Sequence, residues 1–327
     1  MTQTIIRTPE DYRDYAFEAD SEDRASRSYN WNLSIIPRRK DLRNYTGAVE
    51  HQAQYGACSG NAVCSALECI LLRSNKFVDL SRLFVYYNAR LAALQPGEVI
   101  RDAGAGLHLA LEQCRKMGVA TEAVWSYSRG VNVEPDQQAI ADGYNRMIQR
   151  YERLGKGVEL LDDILIALAN NIPVIFGMHI LKPFQTIFGA SAGHLAKYNP
   201  ARIEVTDPDY AGAHGMVIVG YNLNDKTFIV ENSWGAAWGD HGYAILSFDN
   251  VLQNGFDFFA VREFAEIKLP INPQYRIGYE GEIAIEPDDV EFVFPVDTSR
   301  QDAKATFLKN AVLLIVISAV IFFLTNQ

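Results

Sequence analysis

The spacing of apolar positions divides the chain into a helical first half and a strand-rich second half. Residues 62–72 carry Val63, Ala66, Leu67, Ile70 and Leu71 at the spacing of a helix face. Residues 81–93 repeat the pattern with Leu83, Phe84, Tyr87 and Leu91, and residues 107–117 predict a third helix that Gly118 closes as its C-cap. Further helices are expected over residues 135–154, weakened by Gly143, and over residues 160–170. The period then changes. Pro173-Val174-Ile175-Phe176-Gly177-Met178 begins a run of strands reaching Val261. It includes a buried strand that opens at His214, a turn at Asn222-Leu223-Asn224-Asp225 and a strand over residues 227–231. Helices first and strands second make an α+β layout.

The two ends depart from this pattern. Residues 1–34 form a polar N-terminal extension with charges throughout and no apolar core of the length a signal peptide needs. Thr8, Pro9, Glu10 and Asp11 suit the start of a short helix, and a disordered tail fits the composition equally well. Residues 266–305 read as an acidic linker or an extra hairpin, with 281–286 and 290–294 alternating like edge strands around Pro287-Asp288-Asp289. Residues 311–324, AVLLIVISAVIFFL, are apolar at every position except Ser318. As a helix that run is about 21 Å long. Residues 306–325 reach the roughly 20 residues a membrane span needs if Lys309 extends to the headgroups. A run without a polar face would have to be buried on all sides in a soluble fold. The pattern therefore predicts a C-terminal transmembrane helix, with a buried C-terminal helix or strand as the alternative. Arg300, Lys304 and Lys309 precede it, so the positive-inside rule places the rest of the chain on the cytosolic side.

Composition narrows the classes. The chain has 327 residues, 48% of them apolar, with 16 Tyr and 17 Phe, enough for a full core or two subdomains. A net charge of −10 argues against nucleic acid as a partner. Four cysteines without a paired pattern argue against a secreted disulfide framework. There is no short-spaced cluster of metal ligands and no phosphate-binding loop, so neither metal nor cofactor is expected.

The chemistry centres on QAQYGACSGNA, residues 52–62. Cys58 leaves a glycine-containing turn and meets the first turn of a helix. Free N–H groups and the positive helix end there favour an anion, and the thiolate is the nucleophilic form. The plainer reading of a lone cysteine is a small core residue, which is how Cys64, Cys69 and Cys114 read within their helix-like runs. Far downstream, His214-Gly215-Met216-Val217-Ile218-Val219-Gly220-Tyr221 and Asn232-Ser233-Trp234-Gly235-Ala236-Ala237-Trp238-Gly239 complete the order Cys, His, Asn. That is one of the nucleophile, base and orienter arrangements. Together these motifs resemble the papain-like cysteine peptidases, over residues 37–264 and closer to a bacterial and viral branch. The peptidase domain is expected over residues 35–265. The separation of 156 positions from Cys58 to His214 slightly exceeds the family's roughly 130–150, which suggests an insertion.

The resemblance implies a two-subdomain fold, with the nucleophile helix in one half, His214 and Asn232 in the other, and a cleft between them for a peptide or protein substrate. It implies that Cys58 attacks the scissile carbonyl, His214 moves the proton and Asn232 holds the imidazole. Gln52 and the Cys58 N–H would then donate to the oxyanion, and Trp234 would shield the Asn232–His214 bond. The stretch matching Gly104 and Ala105 would pair with the substrate backbone, although a plain loop glycine fits Gly104 as well. Two positions depart from the family pattern: Ala53 where a glycine usually follows the glutamine, and Ser59 where an aromatic often follows the cysteine. Tyr55 stands where secreted members carry a disulfide cysteine. His194 reads as a loop histidine, and His51, His108, His179 and His241 receive no role. The implied activity is peptide-bond hydrolysis through a thioester. A catalytically silent peptide-binding relative and an acyl transferase are the alternatives.

Overall fold

The run that carries the candidate nucleophile folds as one long helix. In the computed structural model, which describes residues 3–4, 36–155, 158–187 and 198–266, α1 spans Cys58–Arg73. Twelve of its 16 residues are buried, so it is enclosed on nearly every side rather than along one apolar face. α2 (Arg82–Leu91) is also buried along almost its whole length, and Ser81 caps it by accepting from the Phe84 N–H. α1 and α2 approach closely at Gly60, where an added Cβ would lie 2.4 Å from the Arg82 carbonyl oxygen. α3 (Leu107–Lys116) ends as the sequence predicts, with Gly118 just beyond it at φ +73°.

The remaining architecture is one sheet. Its strands are β1 (Gln3–Thr4), β2 (Arg39–Asp41), β3 (Arg146–Arg153), β4 (Val174–Leu181), β5 (Tyr210–Asn222), β6 (Thr227–Glu231), β7 (Tyr243–Ser247) and β8 (Gly255–Glu266). The order is β3-β8-β4-β5-β6-β7, with β1 and β2 also pairing with β5. All pairs are antiparallel except β1 with β5. The 13-residue β5 is the hub: it pairs with β1, β2, β4 and β6 and packs against α1. Helices in the first half and strands in the second confirm the α+β layout.

Two expectations need correction. Residues 135–154 are not one helix. α4 (Gln137–Gly143) stops at Gly143, where a side chain would meet the Met117 carbonyl at 2.8 Å and the Phe84 ring at 3.0 Å. The chain then turns into β3, whose partner β8 lies more than 100 residues away in sequence. The strand β5 also does not open at His214. It begins at Tyr210, because residues 210–213 pair with His179, Ile180 and Leu181 of β4. The other helices are α5 (Val158–Ala169), α6 (Lys182–Gln185) and α7 (Phe248–Asn254). The short N-terminal helix, His194, the extra hairpin and the transmembrane helix all fall outside the described residues. No helix among the described residues is long and apolar enough to cross a membrane.

A buried charged cluster joins the two halves. Arg82 on α2 faces Asp79 at 2.9 Å, Glu50 at 3.2 Å, Glu122 at 3.4 Å and Glu68 of α1 at 3.9 Å. Burial alone would lower the Arg82 pKa, and the surrounding carboxylates outweigh it and raise the pKa, so the guanidinium stays charged. On the strand side, Glu231 at the end of β6 accepts from Ser65 Oγ of α1 at 2.7 Å. A water-sized cavity of about 20 Å³ lies among Glu68, Arg82, Glu231 and Asn232. Desolvation pushes Glu68 up to about 8 and Glu231 up to about 7.

The turn that delivers Cys58 to α1 contains a strained residue. Ala53 sits at φ +55°, in the left-handed region that glycine enters freely. Its N–H donates to His51 Nδ1 at 2.9 Å.

Two measurements follow. Because Glu68 and Glu231 keep protons in the fold that the unfolded chain has released, their contribution is complete below about pH 4.5. It is lost as the pH rises through about 7 and 8. Glu231→Gln should therefore match the parent chain in urea stability near pH 5. It should exceed the parent near pH 8.5 by on the order of 2 kcal/mol. A constant difference across that range would contradict the assignment. Ala53→Gly relieves a left-handed alanine, worth about 1–2 kcal/mol, and adds unfolded-chain freedom, costing about 0.4–1 kcal/mol. The net expectation is a gain of up to about 1 kcal/mol, seen as a melting temperature a few degrees higher. A lower melting temperature would show that the turn is not strained.

Candidate active site

Cys58 is the first residue of α1 and is 1% exposed. N–H groups in a first helical turn have no intrahelical acceptor, so the Cys58 N–H remains available to an oxyanion. The N–H groups of Gly215, Ser59 and Cys58 itself act on the sulfur and lower its pKa. The larger effect is burial, which pushes the thiol up to about 11. The sequence expectation of an easily ionised thiol at a helix start is therefore outweighed by desolvation when the thiol is considered alone.

Gly215 follows His214 in β5, so its contact with the sulfur brings the candidate base strand over the helix start. His214 is fully buried and faces Met178 across the β4–β5 pair. Its Nε2 lies 2.6 Å from Asn232 Oδ1. The identity of that oxygen is fixed independently, because the Ser233 backbone N–H donates to it at 2.7 Å. An amide oxygen only accepts, so Nε2 carries the ring proton and Nδ1 is the bare, basic nitrogen. Nδ1 is buried and has no hydrogen-bond partner. Burial lowers His214 to about 4, partly offset by the bond to Asn232. A lone thiolate or a lone imidazolium would each be an uncompensated buried charge. A thiolate and an imidazolium formed side by side would offset part of that cost for each other.

Trp234 stacks on the His214 ring with centroids 4.5 Å apart and planes 22° from parallel. Phe184 and Trp238 meet the Trp234 ring edge-on at 5.8 and 5.4 Å, and Trp238 Nε1–H donates to the Phe184 carbonyl at 3.1 Å. The expected shield over the imidazole is thus a three-ring aromatic group.

Gln52 is brought in by backbone stitching. Its N–H donates to the Ser233 carbonyl at 2.8 Å, and the Gly235 N–H donates to the Glu50 carbonyl at 2.9 Å. The side chain is oriented from both ends. Gln52 Oε1 accepts from Ser233 Oγ at 2.6 Å, and Nε2 donates to the Tyr55 carbonyl at 2.7 Å, leaving its second N–H uncommitted. The sequence assigns neither residue this role: Ser233 lies within the asparagine motif, and Tyr55 stands out only in place of a disulfide cysteine.

Gly104 and Ala105 precede α3 and sit beside the nucleophile turn. The Gly104 nitrogen would lie 3.2 Å from a Cβ added at Gly56. The Gly104 N–H is occupied, since it donates to the Tyr86 hydroxyl at 3.0 Å. Ala105 beside it is buried, at 2% exposure. His51 accepts from Ala53, His179 meets the Tyr210 hydroxyl at 2.9 Å, His108 packs beside Tyr151 and His241 is exposed. Among these described histidines only His214 meets an asparagine oxygen. Among the described residues no group of three or more His, Cys, Asp or Glu side chains is arranged to hold a metal.

Comparison with known proteins bears on the family and the fold. The chain is 29% identical over 226 residues to an uncharacterized peptidase C1-like protein of Acanthamoeba polyphaga mimivirus, covering 66% of this chain and 70% of that protein. It is 24% identical over 222 residues to cysteine proteinase 3 of Entamoeba histolytica, covering 67% of this chain and 65% of that protein. Among solved structures, xylellain, a cysteine protease from Xylella fastidiosa, superposes with a TM-score of 0.63. That match has 23% identity and covers 80% of this chain and 96% of xylellain, and it bears on the fold. The profile described as papain family cysteine protease matches residues 36–256. The chain belongs to the papain family of cysteine proteases.

Proposed function

We propose that this chain hydrolyses peptide bonds with Cys58 as nucleophile, His214 as base and then acid, Asn232 as orienter and Gln52 as an oxyanion donor. The observation that carries the reading is the 2.6 Å bond from His214 Nε2 to Asn232 Oδ1, because it leaves Nδ1 as the buried basic nitrogen. In this reading the Cys58 proton passes to Nδ1 as sulfur bonds to the carbonyl carbon. The oxyanion takes hydrogen bonds from the Cys58 N–H and the second Nε2–H of Gln52. The C–N bond then breaks, the leaving amine takes the proton from His214, and a thioester remains. Water, deprotonated by the same imidazole, attacks the thioester and releases the acid and the thiol.

We also propose that residues 306–325 anchor the protein in a membrane with the peptidase domain on the cytosolic side. Support comes from the apolar run 311–324 and the basic residues Arg300, Lys304 and Lys309 before it.

Labelling with an epoxysuccinyl probe and turnover of a peptide library test the first proposal. Cys58→Ala should abolish both, while Cys64→Ala, Cys69→Ala and Cys114→Ala should leave both intact. His214→Ala should lose at least about 10³-fold in kcat, and Asn232→Ala distinctly less, because the proton pair forms without its orienter but is held less well. Labelling without turnover would favour a silent or acyl-transferring relative. For the anchor, alkaline carbonate should leave the full chain in the membrane pellet and release a chain ending at Arg300. Release of the full chain by carbonate would refute the span.

A further inference from the structure

We propose that Tyr86 and Asp102 are positioning residues that hold the substrate-pairing stretch Gly104–Ala105 in place against the Cys58 turn. The inference rests on the peptidase reading above. Four groups from three segments meet in one polar knot. The Asp102 carboxylate accepts the Gly56 N–H at 3.0 and 3.3 Å through its two oxygens. The same carboxylate accepts the Tyr86 hydroxyl at 2.6 Å. That hydroxyl accepts the Gly104 N–H at 3.0 Å. A continuous chain of hydrogen bonds therefore runs from Gly56, two residues before the thiol, to Gly104, next to the backbone expected to pair with substrate.

A side chain at Gly56 would crowd the knot. A Cβ at Gly56 would lie 3.0 Å from the Tyr86 hydroxyl, 3.1 Å from Asp102 Oδ1 and 3.2 Å from the Gly104 nitrogen. Its foundation is rigid. Tyr86 is fully buried in α2, which packs on the nucleophile helix through Gly60, where an added Cβ would be 3.1 Å from Tyr86 Cβ. The Arg90 guanidinium lies 4.0 Å above the Tyr86 ring. Arg90 also donates to the Arg101 carbonyl and Asn132 Oδ1, each at 2.8 Å, and to the Val131 carbonyl. The loop carrying residues 101–104 is thus tied to α2 at Arg101, Asp102 and Gly104. Burial and the neighbouring Asp102 raise the Tyr86 phenol, so its hydroxyl remains a donor to the carboxylate.

The chemical consequence is specific. The Gly56 carbonyl accepts from Cys58 Sγ at 4.0 Å, and the Asp102 charge acts on the thiol. The Tyr86 hydroxyl instead joins the carboxylate to the Gly104 N–H, so it acts on where an extended peptide lies relative to the thiol. A stretch that is not held in place must be ordered when the peptide binds, which weakens binding. Tyr86→Phe keeps the ring and the Asp102 charge and removes only the hydroxyl, which makes it the primary test on the full chain. For a peptide substrate that extends along residues 104–105, its KM should rise about tenfold with kcat within about threefold. Alkylation of Cys58 by iodoacetamide, and turnover of a single-residue ester too short to reach Ala105, should stay within about twofold of the parent. As a second variant, Asp102→Asn keeps one acceptor oxygen and should give a KM between the parent and Asp102→Ala. An unchanged peptide KM in Tyr86→Phe overturns the proposal. So does an equal loss in alkylation, ester and peptide rates, which would place the effect on the fold or the thiol. A parent chain that is alkylated but turns over no peptide would instead remove the peptidase reading on which the inference stands.

Discussion

The hydrogen bond from His214 Nε2 to Asn232 Oδ1 is the interaction on which the site's chemistry depends. It matters less for its energy than for its logic. An asparagine oxygen already bound by the Ser233 N–H has only acceptor character, so it dictates which imidazole nitrogen bears the proton. The basic nitrogen then faces inward with no partner of its own. The stacked Trp234, backed by Phe184 and Trp238, keeps water from competing for that bond. Exclusion of water also raises the cost of any single charge, which is why burial pushes the thiol and the imidazole in opposite directions, each toward its neutral form.

The fold secures this geometry by converging everything on β5 and α1. β5 carries His214 and pairs with four other strands, while α1 begins at Cys58 and is buried on nearly all sides. Backbone hydrogen bonds between residues 50–52 and 233–235 join the nucleophile turn to the asparagine loop, and Ser233 orients Gln52 across the same seam. The Ser65–Glu231 bond ties the helix to the end of β6 one residue before Asn232. Three independent links therefore span the interval that separates Cys58 from Asn232 in sequence. Glu231 and Glu68 favour the protonated state because burial penalises their charge, yet they pack beside the residues that position the imidazole.

Ala53 illustrates how a departure from a family pattern acquires a physical meaning. From sequence it is a missing glycine after Gln52. In the fold it is an alanine at φ +55°, strained but tolerated, with its N–H satisfied by His51. The strain does not displace Gln52, because the glutamine side chain is fixed from both sides by Ser233 and Tyr55. The backbone of the turn and the Gln52 side chain are thus held by separate sets of bonds.

The sequence by itself determined the α+β layout, the placement of Cys58 at a helix start, and the candidate residues His214, Asn232, Gln52 and Trp234. These were readable because their signals are local: an apolar period, a helix-start turn, and motifs whose members are a few residues apart. It misread residues 146–153 as helix because Arg146-Met147-Ile148-Gln149-Arg150-Tyr151-Glu152-Arg153 has no decisive period, and only pairing with β8 settles its conformation. Tertiary structure alone decided the knot of Gly56, Tyr86, Asp102 and Gly104, and the cluster of Arg82, Glu68 and Glu231. In sequence Gly104 is marked only as a candidate for substrate pairing, and each of the others is an unremarked glycine, tyrosine or surface-type charge. Their significance arises from burial and from contacts across 16 to 46 residues in the knot and 166 in the Ser65–Glu231 bond. Desolvation and hydrogen-bond partnership are properties of the packed chain, and no local pattern of residue types encodes them.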